Sequence, residues 1–277
     1  MLTRMAKESG IATPTADDLV RLDRARTGKK LSNADWESPI DPDAKIAKLK
    51  DGRTRLAYKP EHALDLDTGA IIAAELHEAD QGDTVSLPVT LEAAMKQLAA
   101  LDAAPTPEAP AELITDKGYH SRDTLKHLAD GPWKTRVSER RVDGVLRWHG
   151  DHAARRAVYN NRARLLSGVA RQAFRLRAEW VERSFALILD RGGMRRAWLR
   201  GCANIHKRYL IHVAGYNLGL IMRLLTGAGT PRELHARGAA YLFCIILPDA
   251  VLLAIIALAH GHPIAVLAIT FEPDPFS

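Results

Sequence analysis

Residues 58–76, YKPEHALDLDTGAIIAAEL, decide how this chain is read. Two runs of apolar and β-prone residues, 55–67 and 70–76, flank Asp67-Thr68-Gly69. Gly69 can supply a positive φ there, so the pattern predicts a hairpin. In the first run Asp65 stands between Leu64 and Leu66. Alternation along a strand sends Ala63, Asp65 and Asp67 to one face and Leu64 and Leu66 to the other. A buried, ionised carboxylate is unfavourable by several kcal/mol unless a partner or metal compensates it, which marks Asp65 as a candidate functional group. The competing reading sets it on the wet face of an exposed sheet.

Upstream, residues 1–53 read as a linker-like, poorly ordered segment, with Pro14, Pro39 and Pro42 and few apolar positions. One short helix is predicted over 15–26, capped by Thr15 and given a partial apolar face by Leu19, Val20 and Leu22. Trp36 is placed to dock on the domain C-terminal to it. Downstream, 81–88 reads as a polar loop. A helix is predicted over 90–101, with Leu91, Ala94, Met95, Leu98 and Leu101 at helical spacing. The proline-bearing run 103–110 is a loop. A short strand over 112–115 then delivers Asp116-Lys117-Gly118-Tyr119, and Ser121 caps a helix running to 129. Strand ends in mixed sheets are favoured places for ligand and catalytic groups, whereas the plain alternative for Asp116 is a turn residue.

Residues 151–189 are predicted to be mostly helical and strongly basic. Arg155, Arg156, Arg162, Arg164, Arg171, Arg175, Arg177 and Arg183 face few acids, and Arg191, Arg195, Arg196, Arg200, Lys207 and Arg208 lie beyond them. Planar guanidinium forks suit phosphate contacts. Phe174, Ala178, Val181, Phe185 and Ile188 recur at helical spacing and predict a buried stripe. Glu182 lies at its edge, free to reach a sheet or to pair along the helix, as Glu179 can with Arg175 and Arg183.

At 277 residues, 47% hydrophobic and 26% charged, the chain can bury a core, and its net charge of +6 fits a polyanionic partner. Cys202 and Cys244 lie far apart without zinc-ligand spacing, so neither a disulfide framework nor a structural zinc site is indicated, and a cytoplasmic setting fits. The first residues carry no apolar signal segment. Residues 239–259 are almost wholly apolar, but Pro248-Asp249 interrupts them, so a buried helical pair is preferred over a membrane span.

Asp65, Asp116 and Glu182, with the wording around them, resemble the Asp-Asp-Glu (DDE) transposases of bacterial insertion sequences. The segments that carry the resemblance are YKPEHALDLDTGAI, ADQGDT (79–84), DKGYHS (116–121), RAEWVERSFALILDRGGMRRAWLRG (177–201) and KRYLIHVAGYNLGLIMR (207–223). It runs in order over residues 32–238. The resemblance implies an α/β chain with a ribonuclease H-like mixed sheet flanked by helices and a helical C-terminal part. Residues 54–237 would be the catalytic domain and 238–277 a hydrophobic tail. It implies that Asp65, Asp116 and Glu182 hold two Mg²⁺ or Mn²⁺ ions for cleavage and strand transfer of double-stranded DNA at transposon ends and target. It places Lys117, Tyr119 and Arg183 near the scissile strand, with Arg177, Arg195, Arg196 and Arg200 on phosphates further out. Asp67 and Glu179 are the substitute ligands. A nucleoid-associated homo-oligomer acting on DNA is the expected form. Residues 1–53 are read as linker rather than as the family's helical region that reads terminal repeats, so the competing expectation is a truncated, inactive DNA-binding remnant or regulator. A general nuclease is a third possibility. A serine recombinase is disfavoured, since no serine sits among clustered arginines near the start.

Overall fold

The computed structural model describes residues 6–25, 33, 37–48, 52, 54–140 and 146–236. Helix α1 (Ala16–Ala25) begins where Thr15 and Asp18 cap one another, the Thr15 hydroxyl donating to Asp18 at 2.6 Å and accepting from its N–H. Strand β1 (Lys45–Lys48) comes next, inside the segment read as a linker. It pairs antiparallel with β2 (Thr54–Leu64), so part of that segment is an edge of the sheet. Asp41 and Asp43 add to this anchoring, since Asp41 accepts from the Tyr58 hydroxyl and the Gly201 N–H and Asp43 from the Cys202 N–H. Trp36 and residues 239–259 lie outside the described residues.

Strands β2 and β3 (Ile71–Glu78) form the predicted hairpin, with an irregular register at Ala63/Leu64. Gly69 turns the chain at φ 75°, and a Cβ there would lie 2.5 Å from the Trp180 ring. Helix α2 (Asp83–Ala99) starts earlier than the polar composition of 81–88 implies, and Pro88 lies inside it. Leu91, Ala94 and Leu98 are buried as predicted, while Leu101 falls beyond the helix end. The chain continues through strand β4 (Ala111–Thr115), a single 3₁₀ turn (Lys117–Tyr119) and α3 (Arg122–Leu128), with the Ser121 hydroxyl accepting from the Thr124 N–H as the cap of α3. Strand β5 (Trp133–Val137), which the sequence reading did not single out, pairs parallel with β4.

The basic region is two helices rather than one. Helix α4 (His152–Leu165) is capped by Asp151, and α5 (Gly168–Phe185) restarts at Ser167, whose hydroxyl accepts from the Ala170 N–H. A π-helical turn (Ala186–Arg191) leads to the long α6 (Cys202–Thr226) and the short α7 (Pro231–Ala236). Among the described residues no helix is long and apolar enough to cross a membrane.

The result is a mixed α/β arrangement with a three-stranded antiparallel sheet, β1-β2-β3, and a parallel pair, β4-β5. Both sides of the strands are covered. Ala63, Ala73 and Leu113 pack with α2, α3 and α4, whereas Leu64, Ile71, Ala74 and Ile114 pack with α5 and α6. The predicted stripe on α5 is present: Val181, Phe185 and Ile188 are buried and Phe174 packs against them, while Ala178 is exposed and Ala173 and Ser184 are buried beside the stripe.

Two polar clusters tie these layers together. On the α5/α6 side His62 is fully buried, stacked on Phe185 with ring centroids 4.1 Å apart. The Ser184 hydroxyl donates to the Val181 carbonyl and so accepts from His62 Nδ1, 3.0 Å away, leaving Nε2 to accept from the Tyr209 hydroxyl at 2.6 Å. Burial pushes the imidazole down to about 3. On the α2 side Glu61, fully buried, accepts from Ser86 at 2.9 Å, Thr90 at 2.5 Å and Tyr119 at 2.6 Å, with His77 at 3.1 Å and Lys59 at 3.7 Å. Burial drives the Glu61 carboxyl up, but the hydrogen bonds from His77, Thr90 and Tyr119 and the Lys59 charge outweigh it and hold it below its ordinary value.

Gly69→Ala forces a left-handed non-glycine residue into the Trp180 ring and is expected to lower stability by at least about 1–2 kcal/mol in urea unfolding. His62 binds its proton less readily folded than unfolded, so its contribution is present above pH 6.5 and lost as pH falls towards 3. Unfolding midpoints measured across that window are expected to fall with acidification, and less steeply in a His62→Gln variant.

Candidate functional site

Asp116 ends β4 and caps the 3₁₀ turn, its carboxylate accepting from the Gly118 N–H at 2.9 Å. Tyr119, at the far end of that turn, is fully buried with its hydroxyl on Glu61, which fixes the turn against β2. Tyr119 is therefore not available to a DNA strand, contrary to the sequence expectation, because the buried Glu61 carboxylate claims its only donor. Lys117, between them, is exposed.

The closest carboxylate neighbour of this turn is one the sequence reading quoted without assigning a role. Asp83, first residue of α2, receives the Lys59 ammonium at 2.6 Å. Its Oδ2 lies 2.0 Å from the point a Gly118 Cβ would occupy, and Asp116 Oδ1 lies 3.1 Å from the same point. A side chain at 118 would displace the Asp83 carboxylate from that position. The ADQGDT wording was the available signal, but nothing local in it says that α2 would begin against the turn after β4.

From the other side comes α5. Arg177, only 11% exposed at its side chain, brings Nη2 to 3.7 Å from Asp116. It is a partner of the candidate acid, a pairing that the sequence alone did not point to. Burial lowers the Arg177 guanidinium from its ordinary value, while Asp116, Tyr119 and Glu182 pull it back up. Burial likewise raises the Asp116 carboxyl; Arg177, the Gly118 N–H and Lys117 oppose this, and the Asp83 charge reinforces it. Glu182 is exposed, five residues beyond Arg177 on α5 and within its electrostatic reach.

Asp65 is engaged by its own hairpin turn. Strand β2 stops at Leu64, so Asp65 opens the hairpin turn instead of occupying mid-strand, and at 5% exposed it is not on a wet face. Its Oδ2 accepts from the Thr68 hydroxyl at 2.5 Å and the Thr68 N–H at 3.1 Å, and Oδ1 from the Asp67 N–H at 3.3 Å. Burial raises its carboxyl; the Thr68 and Asp67 hydrogen bonds oppose this and the Asp67 charge adds to it. The turn packs under Trp180, whose Nε1 donates to the Leu66 carbonyl at 3.1 Å. The structure thus brings Asp116, Asp83 and Arg177 together, with Glu182 linked through Arg177, while Asp65 is held by its own turn. Among the described residues no three His, Cys, Asp or Glu side chains are gathered closely enough to hold a metal ion. Two hard carboxylates about Gly118 do fit Mg²⁺, which takes one or two carboxylates and completes its shell with water and phosphate.

The remaining basic candidates are surface groups. Arg183 pairs with Glu179 at 2.6 Å and lies 4.6 Å over the Trp180 ring, so Glu179 is engaged along its helix. Arg195 bridges Asp190, and Arg196 and Arg200 are exposed. Between Asp151 and Glu179 there is no acid, and the exposed Arg155, Arg156, Arg171 and Arg175 line α4 and α5. Comparison with protein-family models, curated proteins and solved structures finds no match for this chain.

Because its folded-state carboxyl is raised, Asp65 holds protons more tightly folded than unfolded, and its contribution to stability declines as pH rises from below 4. Asp65→Asn is therefore expected to be more stable than the parent at pH 7, with the difference closing on acidification towards pH 4. Chemical denaturation at both pH values checks this.

Proposed function

We propose that this chain is a DDE-type transposase catalytic domain, ribonuclease H-like in arrangement, that cleaves and joins DNA strands at insertion-sequence ends with Mg²⁺ or Mn²⁺. The observation that carries the reading is Asp116: a half-buried carboxylate at the C-terminal end of a parallel strand, faced by Arg177 from a basic helix and by Asp83 from the start of α2. The in-order motifs from YKPEHALDLDTGAI to KRYLIHVAGYNLGLIMR give this arrangement its chemical class.

In this reading Asp116 and Asp83 are the oxygen donors nearest the reacting phosphate, and Glu182 approaches from α5. A divalent ion bound there would supply charge stabilisation for an in-line attack on a phosphodiester. Arg177 keeps Asp116 oriented and presents a fork of donors to a phosphate oxygen. The exposed arginines of α4 and α5 hold the duplex by its backbone, which positions DNA without reading its sequence. Asp65 stays a candidate acid, and reaching a shared ion would require its turn to release the carboxylate from Thr68. A second copy of the chain and two DNA segments, transposon end and target, are the partners such a reaction uses.

The second reading is a DNA-binding remnant or regulator without cutting activity. It is favoured by Asp65, whose carboxylate is taken up by Thr68 and the Asp67 N–H of its own turn. A plasmid-nicking assay in Mg²⁺ separates the two. The transposase reading expects nicked product with the parent chain, none with EDTA and none with Asp116→Ala. Retarded but uncut DNA under every condition leaves the binder.

A further inference from the structure

Trp198 is 74% exposed, the most exposed aromatic side chain among the described residues. An indole left in water on this scale is unusual unless something covers it. Arg208, on the second turn of α6, places its guanidinium carbon 4.5 Å from the ring centroid. Arg208 Nη1 is buried, and the described residues offer it no hydrogen-bond partner. The indole is thus held by a cation on one side while most of its surface faces solvent.

The surroundings determine what kind of surface fits. From 190 to 208 the chain carries Arg191, Arg195, Arg196, Arg200, Lys207 and Arg208 against a single acid, Asp190. Of the carboxylates near the start of α6, Asp41 and Asp43 accept from the N–H groups of Gly201 and Cys202, Glu78 pairs with Lys45 and Glu75 lies 3.9 Å from His206. A polyanion would therefore be met by arginine side chains rather than by the helix end. A flat apolar ring amid guanidinium groups is the combination that grips single-stranded nucleic acid, with bases stacking and the backbone held by charge.

We infer that Trp198, backed by Arg208, is a stacking platform for an unpaired nucleobase. This rests on the nucleic-acid reading above but not on cleavage. The platform takes any base, since every base offers a π face, and it prefers single strands or frayed ends to closed duplex.

The test is an anisotropy titration of the full chain with fluorescein-labelled oligothymidylate and, separately, a mixed-sequence duplex, both in EDTA so that no cutting occurs. Trp198→Ala is expected to weaken oligothymidylate binding about ten-fold while changing duplex binding less than about two-fold. Trp198→Phe, which keeps a ring, is expected to retain most of the affinity. The salt dependence should be unchanged, because no charge is removed. Undiminished oligothymidylate binding by Trp198→Ala, equal losses on both ligands, or no binding of oligothymidylate by the parent chain would each overturn the proposal. Nicking that fails in Mg²⁺ while this selective loss is seen removes the transposase reading and leaves the platform standing.

Discussion

The Glu61 carboxylate is the constraint on which the rest of the described structure turns. A charge with no exposed surface is tolerable only when every lone pair is met, and here Ser86 and Thr90 of α2, Tyr119 of the turn after β4, and Lys59 and His77 of the hairpin all converge on it. Four separate pieces of chain are thereby held in one register. Removing the carboxylate would leave Lys59 with Asp83 as its remaining charged partner and Tyr119 with no acceptor. Such clusters specify an arrangement more than they stabilise it, because each donor must arrive in its own place.

That register sets the candidate site. Tyr119 pulls down one end of the 3₁₀ turn, so Asp116 at the other end is lifted towards Arg177. Lys59 draws Asp83 to the same turn. Asp116 and Asp83 are thus placed by buried lysine and tyrosine side chains. On the opposite side of β2, His62 does similar work for α5 by joining Ser184 and Tyr209, which fixes how Arg177 and Glu182 are presented. Adjacent residues of one strand, Glu61 and His62, therefore govern the two walls of the candidate site.

Basicity is arranged differently. The acid-free run between Asp151 and Glu179 is split by Ser167 into two helices, and its arginines divide into roles by depth. Arg164 is spent inside, donating to the Thr135 carbonyl at 2.7 Å, much as Arg136 of β5 pairs with Glu112. Arg155, Arg156, Arg171 and Arg175 remain outside, where they can meet phosphate. Net charge alone could not have made that division, since it counts buried and exposed guanidinium groups alike.

The order of residues was enough to establish the hairpin around Gly69, the strand that ends at Asp116, the Ser121 cap and the helical, arginine-rich second half, because alternation, turn chemistry and capping act over a few residues. It also marked Asp65 as unusual but left open whether it is buried, and it set the residue mid-strand, since the end of β2 depends on the partner strand as well as on local pattern. Long-range packing settled that β1 joins the sheet, that α2 starts at Asp83, that Ala178 faces out, that Tyr119 is buried and that Asp83 stands beside Asp116. Each of these depends on contacts between residues far apart in the chain, such as Lys59 with Asp83 and Glu61 with Tyr119, and a spacing rule that looks a few residues ahead carries no information about them.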